Sequence, residues 1–107
     1  MSNISYPARI VFHEDPRGSH FDLFLRLPDA SHLATYELMV AAAPPEGFVL
    51  TACAPEDPGA MKAVRKPDHR ARYWEYSGPI PERGRIDSRS YGRLHGSFLP
   101  DVLYVRS

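Results

Sequence analysis

The 107-residue chain has a single cysteine, Cys53, which excludes an internal disulfide and any zinc knuckle built on cysteines. A reducing, cytoplasmic setting is the expectation that follows. Net charge is also missing: thirteen basic residues balance thirteen acidic ones. No global field draws in a polyanion, which argues against an extended nucleic-acid groove but leaves room for a small local phosphate site. There is no long hydrophobic run. The alanines at 41–43 and their neighbours are far too short to span a bilayer, and the opening MSNISYPARI has neither the charged region nor the apolar run of a signal peptide. No membrane association is expected. The chain lacks a phosphate-binding glycine loop, a dinucleotide fingerprint and a Ser-His-Asp context. Glu14, Asp15 and Glu46 have no partner at a spacing suited to paired-carboxylate chemistry. Repeats and low-complexity tracts are absent too.

Proline, by contrast, is abundant. Eleven prolines predict many short elements rather than long helices. Residues 1–107 form one domain, which at this length buries roughly 65% of the surface its unfolded form exposes. Residues 8–12 read as a first strand and 19–27 as a second, stopped by Pro28-Asp29. Residues 31–43 fit a capped helix or a strand equally well, and Pro44-Pro45-Glu46-Gly47 is a turn. Residues 48–54 read as a further strand, 55–67 as a loop with one helical turn around 60–64, and 72–76 as an aromatic strand. Residues 77–84 are too rich in proline and glycine to be regular, and 92–106 predict one or two strands split near Pro100-Asp101. The fold class is mostly β: a small closed or nearly closed β-barrel with short helical insertions.

The most informative stretch is HEDPRGSHFDLFLRL, residues 13–27. From His20 onward it alternates strictly, with Phe21, Leu23, Leu25 and Leu27 on one side and His20, Asp22, Phe24 and Arg26 on the other. The leucine side is an ordinary core face. The other gathers an imidazole, a carboxylate and a guanidinium. Asp15-Pro16-Arg17-Gly18 fits a type I turn that folds the preceding residues back on this strand. His13 then lies across from His20 and Asp22, where two nitrogens and one oxygen can share Mn²⁺ or Zn²⁺ with coordination positions left open. The competing reading is a pair of solvated or hydrogen-bonded histidines. A one-residue bulge would turn His13 to the other face.

A second constellation is Asp68-His69 with Tyr73, followed by Trp74 and Tyr76. Its plainer reading is aromatic core filling and a capping histidine. Arg65, Lys66, Arg70 and Arg72 cluster around it and suit either a phosphate-collecting rim or a solvated surface. His32 and His95 stand apart and receive no role.

Together the blocks His13…His20-Phe21-Asp22, Asp68-His69…Tyr73 and Tyr76-Ser77-Gly78-Pro79-Ile80-Pro81-Glu82-Arg83-Gly84 resemble the 3′-phosphoesterase domain of bacterial DNA ligase D. They cover about a third of the chain. The resemblance implies a β-barrel and a Mn²⁺-dependent hydrolase that removes 3′-terminal ribonucleotides and 3′-phosphates from DNA ends before ligation. It implies that His13, His20 and Asp22 hold the metal, while His69 and Tyr73 contact the scissile phosphate. Its partners would be nucleic acid 3′ ends and DNA ligase, polymerase or other end-joining proteins.

The sequence departs from the family pattern at named places. Phe24 stands where the family has a phosphate-binding arginine, Pro67 replaces a glutamate, Val11 replaces a glutamine, and the two histidines are one residue further apart. The chain is also shorter than a full phosphoesterase domain. Arg26, one strand repeat beyond Phe24 at roughly 6.6 Å, is the expected substitute for the arginine. Three functions compete: a phosphoesterase acting on 3′ ends, a catalytically weakened barrel that binds nucleic acid ends or a repair partner, and a metal enzyme for some other small phosphate ester.

Overall fold

A computed structural model describes residues 4–107 and places eight strands in them. In chain order these are β1 (Ile4–Asp15), β2 (Gly18–Leu25), β3 (His32–Leu38), β4 (Phe48–Ala52), β5 (Met61–Arg70), β6 (Gly78–Pro79), β7 (Arg85–Gly96) and β8 (Val102–Arg106). The sheet order is β1-β2-β3-β5-β8-β4-β7-β6. It returns on itself because β1 also pairs with β7, so the sheet is a nearly closed β-barrel with the short β6 attached outside. All neighbours are antiparallel except β4 and β7. No helix among the described residues is long and apolar enough to cross a membrane.

Alternation along the strands produces two apolar clusters on opposite faces of the same wall. Ile10, Leu23, Leu25, Ala34, Tyr36, Leu38, Leu50 and Leu94 fill the barrel interior. Val11, Phe24 and Leu33, each next in sequence to an interior residue, point outward and meet Trp74 and Ile86. The excursion from β5 to β7 therefore folds down on the outside of the barrel.

Several local expectations are corrected; residues 77–84, expected to be irregular, include the two-residue β6, Gly78–Pro79, paired with Ile86 and Arg85. Residues 60–64 are not a helical turn; β5 starts at Met61, and in it Ala63 is fully buried and pairs with Leu38 and Leu103. Ladder pairing on both sides outweighs the helix preference of Ala, Met and Lys. Residues 72–76 are not a strand; Ala71–Trp74 is a single 3₁₀ turn. Here the carbonyls of Tyr73, Trp74 and Tyr76 accept from the buried guanidinium of Arg9, and that of Trp74 also accepts from the Tyr91 hydroxyl. Carbonyls occupied by side chains are not available to a neighbouring strand. Residues 31–43, open between helix and strand, contain β3, and β2 ends at Leu25 rather than Leu27.

Candidate metal centre and phosphate cleft

The site begins with the β1–β2 hairpin. Asp15 Oδ1 accepts from the backbone N–H of Arg17 at 2.9 Å, so the aspartate folds the chain over Pro16-Arg17 and delivers Gly18 opposite Asp15. The register then runs unbroken from Asp15 to Ala8 and sets His13 directly across from His20. Their rings lie 4.9 Å apart, edge to face. No bulge interrupts this pair, so His13, His20 and Asp22 share the outer face. The one register shift in β1 lies toward β7, between Ile10 and Val11.

Among the described residues, these three form a group that could hold a metal ion, with ligand atoms all within 4.8 Å of one another. The chemistry of the donors fits a cation. His13 donates from Nε2 to the carbonyl of Arg83 at 2.8 Å, which leaves Nδ1 with its lone pair. Nδ1 faces Asp22 Oδ2 across 3.9 Å, and both atoms are buried without a hydrogen-bond partner. Two buried acceptors facing each other have no hydrogen to share. A cation between them satisfies both, and burying them otherwise costs about 1–3 kcal/mol for each group.

Asp22 is wholly buried. Burial acts to raise its pKa, but the His20 hydrogen bond and the charge of Lys66 outweigh it, and the carboxyl lies below its ordinary range. The same bond to Asp22 raises the pKa of His20 against the opposing effect of burial. Lys66 Nζ lies 3.0 Å from His20 Nε2 and 3.2 Å from Asp22 Oδ1.

His69 comes from the far end of the same strand as Lys66. At three residues apart the two would face opposite ways on a regular strand. The ladder with β3 skips here: Leu33 pairs with His69 and Thr35 with Lys66, so Ala34 alone opposes both Pro67 and Asp68. This β-bulge at Pro67-Asp68 turns both side chains to the outer face. His69 donates from Nδ1 to the Pro67 carbonyl at 3.3 Å and stacks near Tyr73, 6.1 Å between centroids. Burial lowers its pKa, so the ring is neutral near pH 7.

A cleft of about 560 Å³ joins these groups, lined by His13, His20, His69 and Tyr73. Lys66, Arg70, Arg17 and Arg83 also line it, together with the carboxylates of Asp15 and Asp68. The expected basic rim is thus split. Arg65 instead pairs with Asp68 at 2.8 Å, and Arg72 covers the rings of Tyr73 and Tyr76.

Arg26 does not join this cleft. Its guanidinium lies 5.1 Å over the indole of Trp74 and borders a different depression, with Tyr6, Pro7 and Leu27. The cause is local: the strand has ended, and Trp74, pulled down by Arg9, offers the nearest aromatic face. Phe24 is fully buried, its ring against His69 at 5.1 Å.

Sequence reasoning passed over two further contributors. Arg9 sits in an apolar run yet shares its face with Val11 and His13, and a charge at that phase of a buried strand was the available signal. The Arg83 carbonyl, which fixes the His13 tautomer, is a backbone atom and leaves no trace in residue type. Comparison with known proteins returned no match: no family model, curated protein or solved structure is significantly similar to the chain.

Proposed function

We propose that the protein is a metal-dependent phosphoesterase, with Mn²⁺ the preferred ion, that processes 3′ ends of nucleic acid by removing a terminal ribonucleotide or a 3′-phosphate in DNA end repair. The observation that carries this reading is the facing pair of buried, unpartnered acceptors, His13 Nδ1 and Asp22 Oδ2, beside His20 in a cleft bordered by cationic side chains. A metal held by His13, His20 and Asp22 would neutralise phosphate oxygens and lower the pKa of a bound water. The chain supplies the rest. His69, with Nδ1 committed to a carbonyl, keeps the Nε2 lone pair for accepting a proton and returning it to the leaving oxygen. Tyr73 lines the cleft with it and carries a hydroxyl donor, and Arg70 and Arg83 favour an anion there, while Arg17 is paired with Asp15.

The test uses oligonucleotides ending in a 3′-phosphate or a 3′-ribonucleotide, with and without Mn²⁺. Release of phosphate or nucleoside that disappears in His20→Ala, with a 5′-phosphate untouched, is expected. No turnover of either end under saturating manganese would count decisively against it. The burial of Phe24 against His69, in the place of the family arginine, favours a second reading: a weakened barrel that binds nucleic acid ends or an end-joining partner such as a ligase or polymerase. End-dependent binding that survives His20→Ala would select it.

A further inference from the structure

Lys66 reaches the candidate metal group from β5, across β3, and its ammonium lies within hydrogen-bonding distance of two of the three candidate ligands, His20 Nε2 and Asp22 Oδ1. With Asp22 fully buried, this is the cation that compensates its charge. The Lys66 side chain is itself about a quarter exposed and lines the cleft, and Glu37 approaches it at 4.0 Å from the rim. It therefore touches the ligands on one side and open cleft on the other.

We infer that Lys66 is a tethered stand-in cation that leaves His20 and Asp22 when a divalent ion binds and then holds a terminal phosphate in the cleft. This rests on the metal reading of His13, His20 and Asp22 proposed above. The argument is one of lone pairs and charge. His20 Nε2 lies 3.0 Å from Lys66 Nζ and 3.3 Å from Asp22 Oδ1; whether it accepts from the ammonium or donates to the carboxylate, it has no lone pair left for a metal, so these contacts break when one binds. A dication at 2 to 2.5 Å from these ligands would also repel an ammonium at bonding distance from the same atoms. Lys66 lines the cleft, and its flexible stem lets the ammonium swing into it. An ammonium beside a bound dication favours the dianion of a phosphate monoester over the monoanion of a diester. The inference thus narrows the substrate to a terminal monoester.

The measurement compares the full chain with Lys66→Met and Lys66→Arg, using manganese alone and then inorganic phosphate added to the manganese-loaded protein, both by calorimetry. Removing the competing cation should tighten manganese binding in Lys66→Met by roughly tenfold, while phosphate binding to the loaded protein weakens by at least about tenfold. Lys66→Arg should retain phosphate binding. Manganese affinity equal to or weaker than wild type in Lys66→Met, or undiminished phosphate binding, overturns the role of Lys66 and leaves the metal reading standing. Manganese taken up by neither wild type nor Lys66→Met overturns the metal reading and the inference together.

Discussion

The imidazole of His69 lies against the ring of Phe24, with centroids 5.1 Å apart and planes tilted by 43°. One residue comes from β2, the strand of His20 and Asp22, and the other from the end of β5, so this contact ties His69 to the strand that carries two of the candidate ligands. The apolar ring shields the imidazole and disfavours its charged form, which lowers the His69 pKa. In Phe24→Leu, which keeps an apolar side chain, His69 should titrate closer to the ordinary imidazole value, with a stability loss of about 1 kcal/mol. Histidine ring resonances followed by NMR in metal-free protein give the answer. An unmoved His69 titration would show that the ring does not set its charge.

The same shift has a consequence for stability. Folded His69 releases its proton at a lower pH than the unfolded chain does. Between the two values the unfolded chain binds more protons, so stability falls as the pH drops from the ordinary imidazole value, about 6.5, toward the lowered one. His20, whose pKa is raised, acts in the opposite sense, adding stability at low pH that is lost as pH rises through its folded value. Urea midpoints at pH 7 and pH 5.5 separate the two. The midpoint of His69→Gln should fall less on acidification than that of the wild type.

Asp22 is expected to decide metal binding, and its charge also pairs His20 and Lys66 in the fold. Asp22→Asn keeps the size and the interior packing but removes the anionic ligand. Manganese affinity should fall by roughly 100-fold or more, a loss at or beyond the upper end of what disturbing a ligand's supporting contacts causes. Calorimetry reports the affinity and circular dichroism the retained fold. Binding within a few-fold of wild type would remove Asp22 from the ligand set.

Arg9 straps the 3₁₀ turn and its aromatic residues to the outside of the barrel through the carbonyls of Tyr73, Trp74 and Tyr76. Arg9→Met should lower stability by about 2 kcal/mol, since the loss leaves the part-buried carbonyls of Tyr73 and Tyr76 without this donor and that of Trp74 with the Tyr91 hydroxyl alone. It should also open residues 70–84 to trypsin well before global unfolding, at Arg70, Arg72 or Arg83. Cleavage elsewhere first, or no change in rate, would contradict the strap.

Arg26→Ala separates the sequence expectation from the structure. With its guanidinium over Trp74, its removal should leave manganese and phosphate binding unchanged and lower stability by about 0.5–1 kcal/mol. A large loss of phosphate affinity would return Arg26 to the cleft.

Much of the barrel and of the metal group was legible because both rest on the simplest rule of strands. Period-two alternation placed His20 and Asp22 together, and an Asp-Pro-Arg-Gly turn placed His13 across from them. The rest of the cleft was not legible in the same way. Lys66 and His69 share a face only through a bulge that breaks the alternation, and nothing in Pro67-Asp68 announces which residue is left unpaired. Residues 72–76 have the composition of a strand, yet a guanidinium more than sixty positions away takes their carbonyls. Arg26 had the right phase for the cleft, but phase does not foresee an indole lying closer. Short-range patterns survive in sequence, while contacts made by the backbone or by distant side chains do not.

It is the peptide carbonyl of residue 83, not its guanidinium, that meets His13. The neighbouring Gly84, at φ +75° and packed on the Glu14 backbone where a Cβ would collide, holds that carbonyl in position. The ring's proton is thereby assigned by main chain alone. Position 83 can accordingly drift through acidic, basic or neutral residues, retuning which anions the outer lip of the cleft attracts, while every descendant inherits the same imidazole lone pair.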